Sequence, residues 1–244
     1  MSGHSHAKTV KHKKDADAKK RGQIFSKMAR LISVAVKEGG SDPDKNSKLR
    51  MAIENARYYN MPNDNVERAI KRASGEGTEG KLEEFLFEAY GPGNTALLVE
   101  GITDNKNRAL GEVKKILSSH NGKLVQEGAV KWMFERKGCV IIDLKAQAEN
   151  LQDKEQLELI AIEAGAEDIE WNENNLDAYI SIENLEKLKK NLEEKGIKIE
   201  SSTLDWKPKE EIVLNEKEKI SCQKLFDSLD ENDNVQDIYS NFKV

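Results

Sequence analysis

Cysteine is almost missing: Cys139 and Cys222 are the only two in 244 residues. That excludes a disulfide framework and a cysteine-rich metal site, and points to a reducing, cytoplasmic compartment. Aromatic residues make up only 6% against 34% charged ones, the composition of a very soluble protein with exposed helices. No run approaches the roughly 18 apolar residues of a membrane span. The first sustained hydrophobic pattern starts near Ile24 and is amphipathic, so a secretory signal peptide is not expected. Catalytic signatures are missing as well: there is no serine-centred elbow, no HExxH and no His-Cys cluster. His120, near the end of a helical pattern, reads as a C-terminal cap. An enzyme acting on a phosphorylated substrate is therefore the least favoured reading, and no catalytic residue, cofactor or metal is expected.

Charge is plentiful and unevenly spread. Residues 1–75 hold 17 Lys and Arg against 8 Asp and Glu, while the remainder holds 22 against 36. A basic segment joined to acidic domains suggests a polyanion-binding module coupled to domains with another task, such as contacting a protein partner. The alternative is that the two halves attract one another.

Three short helices are expected in the basic part. Ile24, Phe25, Met28, Leu31, Ile32 and Ala35 recur at helical spacing from residue 17 to 38, and Gly39-Gly40 is a stop signal. A second helix runs from about 45 to 59 and ends at Asn60-Met61-Pro62. A third, from about 64 to 73, is capped by Asn63 or Asp64 and closes at Gly75. On the first helix Lys19, Lys20, Arg21, Lys27, Arg30 and Lys37 supply the charge, with Val34 intruding on the basic arc. On the third, Val66, Ala69, Ile70 and Ala73 face one way and Arg68, Lys71 and Arg72 the other. With a flexible arm bearing Lys8, Lys11, Lys13 and Lys14, these stripes form the footprint expected for phosphate-backbone binding. His4, His6 and His12 of that arm read as incidental.

Residues 76–81 read as a linker. The stretch GEGTEGKL from Gly75 imitates a phosphate-cradling loop, but Leu82 replaces the required hydroxyl and a helix, not a strand, precedes it. Beyond it the period changes to two. Strands are expected at Glu84–Tyr90, Thr95–Ile102 and Lys131–Arg136, with a helix from Asn105 to Ser118. Phe85, Phe87, Trp132 and Phe134 read as core. From Gly138 the order is strand (CVIIDL), helix (153–164), strand (168–172), strand (AYISI), helix (184–195) and strand (IKIESS), the split β-α-β-β-α-β unit. It lacks the exposed aromatic pair of an RNA-recognition sheet, having only Tyr179. A strand near 210–214, a helix from 216 to 229 and a strand at Val235–Tyr239 are placed to complete the earlier half-built unit.

The fold class expected is α+β: an N-terminal three-helix domain (1–76), then two ferredoxin-like α/β sandwich domains, a split one (80–136 plus 205–244) with the other (137–204) inserted in it. TDNKNR, between a strand and a helix, contains a cap at Thr103 or Asp104. Asn105, Asn107 and Arg108 are a secondary polar site at that helix start. DENDN at 230–234 resembles a calcium loop but has Val235 and Asn241 where Gly and Glu are needed.

The segments GHS (3–5), KHKKDADAKKRGQIFSKMARLI, GGSDPDKNSKLRMAIENAR, NMPNDNVERAIKRASGEG, YGPGNTALLVEGITDNKNR and VKWMFERKG closely resemble the YebC/PmpR family over essentially the whole chain. The resemblance implies a helical domain followed by two α+β domains, the third inserted in the second. For function it implies a DNA-binding transcriptional regulator or, as in the mitochondrial translational activator of cytochrome c oxidase, a ribosome-associated factor that binds rRNA and relieves stalling. Two positions depart from the family pattern: His6-Ala7 replaces a Lys-Trp pair, removing a stacking group from the arm, and Asn94 replaces the last Gly of YGPGG. The expected partners are nucleic acid and a protein bound by the acidic domains, with no membrane.

Overall fold

The computed structural model describes residues 18–76 and 82–243. Three helices, α1 (Ala18–Gly39), α2 (Ser47–Tyr58) and α3 (Asn63–Lys71), form the N-terminal part. All six apolar residues expected on one face of α1 enter its core, packed with Leu49, Ile53 and Ala56 of α2 and Val66 and Ala69 of α3. The turn after α1 is held by Asn46, whose side chain accepts from Leu49 N at 3.0 Å and donates to Ala35 O and Gly40 O at 2.7 and 2.8 Å. A Cβ on Gly39 would meet that side chain at 2.6 Å, so the first Gly of the pair makes room and the second, Gly40, takes the left-handed φ of 85°. α3 has Pro62 at its N-cap and no side-chain cap, in place of the cap expected from Asn63 or Asp64. A π turn, Arg72–Glu76, follows it.

Two four-stranded antiparallel sheets follow. The first has the order β3-β1-β2-β9, built from β1 (Glu83–Tyr90), β2 (Ala96–Thr103), β3 (Lys123–Leu124) and β9 (Val235–Ser240). Helices α4 (Lys106–Ser119) and α7 (Glu216–Asp230) cover one face through Val113, Leu117, Leu225 and Phe226. The second has the order β5-β6-β4-β7, the ferredoxin-like arrangement, from β4 (Phe134–Asp143), β5 (Asp168–Asn172), β6 (Asn175–Ile180) and β7 (Ser201–Pro208). Its helices α5 (Lys154–Ala164) and α6 (Leu185–Glu194) pack on Val140, Ile142, Leu176 and Ala178. The chain leaves the first sheet after β3 and returns to it only at β9, which makes the second sheet an insertion. A short parallel pair, β8 (Ile212–Val213) with β10 (Phe242–Lys243), closes the tail.

Three local expectations are corrected. Residues 131–133 form a 3-10 turn, and the strand expected at 131–136 merges with CVIIDL into one ten-residue β4, which pairs with β7 from Phe134↔Pro208 to Ile141↔Ser201. Trp132, read as core, is 63% exposed because that turn swings it outward, whereas Phe85 and Phe87 stack in the core at 4.3 Å and Phe134 is buried. The strand expected at IKIESS starts only at Ser201: Ile197 fills the core beneath α6, and pairing with β4 begins four residues later. Asn94 adopts the left-handed conformation at φ 57°, as its place in YGPGN requires.

Candidate nucleic-acid interface

The basic residues of α1 divide into two groups. Lys20 and Arg21 are exposed. Lys27 is 4% exposed, and its Nζ donates to the Asp230 carbonyl at 2.6 Å and to Asp230 Oδ1 at 3.1 Å, at the end of α7. Arg30 donates through Nη1 to the carbonyl of Asp233 and reaches Asn234 Oδ1 and the Ile102 carbonyl at 3.4 Å each. Val34, seven positions beyond Lys27 and on the same side of the helix, is also buried. The middle of the arc of α1 read from sequence as a basic front, Lys27, Arg30 and Val34, is thus a joint to the first sheet, while Lys20 and Lys37 stay exposed. The acidic 230–234 loop, rejected as a calcium site, is its counterpart.

Arg68, Lys71 and Arg72 are exposed at the end of α3 and in the π turn, as expected. Lys8, Lys11, Lys13 and Lys14 lie outside the described residues, as do positions 77–81 of the linker; Lys19 falls in the first turn of α1.

The secondary polar site has an internal structure. Asn105 is the N-cap of α4, accepting from Arg108 N at 3.0 Å, so the cap is neither Thr103 nor Asp104; Thr103 Oγ1 instead accepts from Asn105 N at 3.1 Å. Asn107 is exposed, and Arg108 pairs with Asp104 one turn back. His120 caps the far end of this helix, with Nδ1 at 3.0 Å from the Ile116 carbonyl and Nε2 at 3.2 Å from Ser228 Oγ on α7.

The fold brings the two sites together. A recess of about 590 Å³ between the helical domain and the first sheet is lined by Arg30 of α1, Arg68 of α3, Arg72 of the π turn and Arg108 of α4, with Asn65 and Asp104 among its other polar walls. Arg68 spends Nε on the Asp64 carbonyl and Nη2 on Asn65, which fixes the plane of its guanidinium. Arg30 is anchored through a single nitrogen. No spacing rule in the sequence connects Arg108 with Arg68 across 40 residues; the TDNKNR helix start was its only trace.

A larger cavity, of about 920 Å³, lies where the helical domain and both sheets meet. Two of its acidic groups, Glu88 and Glu100, are committed to the framework. Glu88 accepts from the N–H groups of Gly128, Val130 and Lys131 at 2.5, 2.6 and 2.8 Å. Burial works to raise the Glu88 carboxyl, but these donors outweigh it and hold it below the ordinary carboxylate range. Glu100 accepts from Trp206 Nε1 at 2.8 Å and Tyr239 OH at 3.1 Å and pairs with Arg136 at 3.0 Å, tying the first sheet to β4 and β7. Among the described residues, no group of three His, Cys, Asp or Glu is disposed to hold a metal, and no helix is long and apolar enough to cross a membrane.

Comparison with known proteins matches residues 5–76 to the TACO1/YebC protein N-terminal domain and residues 82–242 to the TACO1/YebC second and third domain. The chain is 44% identical over 245 residues to a "Probable transcriptional regulatory protein" of Halothermothrix orenii, covering 100% of this chain and 96% of that one. A Thermoanaerobacter pseudethanolicus protein of the same description is 41% identical over 244 residues, covering 100% and 98%. The crystal structure of a conserved hypothetical protein from Aquifex aeolicus superposes with a TM-score of 0.84 at 40% identity, covering 93% of this chain and 91% of that one.

Proposed function

This chain belongs to the TACO1/YebC family, and we propose that it is a non-enzymatic regulator of transcription that grips the phosphate backbone of duplex DNA in the arginine recess. Relatives across the full length carry the description "Probable transcriptional regulatory protein", which supports a regulatory role. The observation that carries the binding mode is the convergence of Arg30 of α1, Arg68 and Arg72 of the α3–π-turn stretch and Arg108 of α4, three separate segments, on one recess. Planar guanidinium groups match phosphate oxygens in pairs, and several held by rigid helices grip a backbone without reading bases. The start of α4 adds its positive dipole end to the same wall. Exposed Lys20, Arg21 and Lys71 extend the positive surface, and the basic segment before α1 belongs to the same footprint.

Sequence readout is not part of this proposal. The connection between α1 and α2 runs from residue 40 to 46, longer than the three or four residues of a helix-turn-helix, and α3 is only nine residues long. That same lack of a base-reading helix favours a second reading, ribosomal RNA recognised by shape. Duplex binding across a salt series, run beside ribosome co-sedimentation, tests both. Arg68→Glu with Arg108→Glu should weaken duplex binding at least tenfold and lower the salt slope by about two. Unchanged affinity in the folded variant overturns the recess as the site. Ribosome association that survives salt, with only weak duplex binding, replaces DNA by rRNA.

A further inference from the structure

The chain has three tryptophans, and two of them have an occupied ring. Lys154 lies over Trp171 at 4.4 Å, and Lys131 and Arg136 lie over Trp206 at 5.3 and 5.0 Å. Trp132 differs: it is 63% exposed, and among the described residues no cation or aromatic ring covers it. Exposure by itself means little, since single apolar side chains are common on protein surfaces. What sets Trp132 apart is how firmly it is held.

The turn that carries it is fixed from within. The buried Glu88 carboxylate takes the N–H groups of Gly128, Val130 and Lys131, and Gly128 supplies the left-handed φ of 86° that the loop needs. Met133 N–H donates to the Val130 carbonyl at 2.9 Å, while Val130, Met133 and Phe134 pack into the cluster around Leu98 and Tyr239. Trp132 Nε1 donates to the Ala129 carbonyl at 3.0 Å, so the one polar group of the indole is satisfied inside its own loop. What is left for a ligand is the π face, already oriented, so little ordering entropy remains to be lost on contact. The exposed charges on adjoining segments balance, Lys131 and Lys209 against Glu127 and Glu135, with Lys209 joined to the turn by its N–H to the Met133 carbonyl at 2.9 Å.

We propose that Trp132 is a stacking platform for an unpaired nucleobase, a contact separate from the arginine recess. The inference rests on the nucleic-acid reading above but not on the recess itself. Leu82, just before β1, lines the recess, and Glu88, which holds the platform loop, lies six residues later, about 20 Å along the strand. The two contacts also differ in kind. The recess grips phosphates and releases counterions, whereas a ring among balanced charges contributes through base stacking, which every base can supply.

Two hairpins of equal length, one fully paired and one with a single unpaired adenine, each made as DNA and as RNA, test the platform in the full-length protein. The parent should bind the bulged hairpin about fivefold more tightly or better in at least one of the two backbones, which identifies the source of the base. That ratio should hold between about 0.1 and 0.3 M salt while both affinities fall. Trp132→Ala should abolish the ratio and leave the affinity for the paired hairpin unchanged. Trp132→Phe, which can stack but cannot bond Ala129, should keep most of it. No preference in either DNA or RNA overturns the platform, as does a preference that survives Trp132→Ala or is lost equally in Trp132→Phe, the latter making the indole a structural group. Arg68→Glu with Arg108→Glu should weaken both hairpins alike. If that double variant changes neither affinity while Trp132→Ala removes the preference, the recess falls as a site and the platform stands.

Discussion

Lys27 and Arg68 are both helical cations of the basic domain, yet their surroundings predict opposite outcomes on charge reversal. Lys27 is buried against Asp230, so Lys27→Glu should cost about 2–4 kcal/mol in denaturant unfolding and loosen the helical domain from the first sheet. Arg68 is exposed and, among the described residues, bonds within its own helix, so Arg68→Glu should leave stability within about 0.5 kcal/mol while weakening polyanion binding. Glu88 gives a pH test. Its carboxyl is held low in the folded state, so its contribution is present above the ordinary glutamate range near 4.3 and is lost as pH falls through the depressed folded value. Glu88→Gln, with one oxygen for three donors, should be destabilised by about 1–3 kcal/mol at neutral pH, and the gap from the parent should close in acid unfolding curves below about pH 4.

At the scale of elements, β4 is the decisive piece, and the sequence hid it. Its first half lies beside Trp206 and Glu100, its second half in the core of the inserted domain, and Gly138 in the middle reads as a break between two strands. The glycine is there because Leu185 of α6 packs against the strand; a Cβ at position 138 would lie 3.0 Å from it. Periodicity found nearly every helix because α1, α2 and α3 each bury a single stripe. It failed where a residue's role depends on a distant partner: Val34 looked like a flaw in a basic face and is part of a joint, and Trp132 looked like core and is exposed. Two substitutions test the junctions. Glu100→Ala removes the shared acceptor of Trp206, Tyr239 and Arg136 and should cost about 2–4 kcal/mol, with a shift in tryptophan fluorescence. Gly101→Ala places a Cβ 2.1 Å from the Asn234 carbonyl and 2.2 Å from the Phe85 ring, and should cost about 3 kcal/mol or prevent the 230–234 loop from seating.

For the whole molecule, opposite charge on the two halves has an internal use as well as an outward one. The acidic domains hold Lys27 and Arg30 at the joint and leave Arg68, Lys71 and Arg72 facing solvent. The division could not be read from the chain, because residues of both groups sit at similar helical spacings and only the packing of α1 between two neighbours separates them. The joint also sets an order of events in biosynthesis. Its acidic half, Asp230 to Asn234, follows α1 only after the whole inserted domain, Asp230 lying 203 positions beyond Lys27, and the strand β9 that completes the first sheet beside β2 comes later still. While the polypeptide is still being made, Lys27 and Arg30 are therefore without these partners, and the nascent basic domain presents more positive charge than the finished protein.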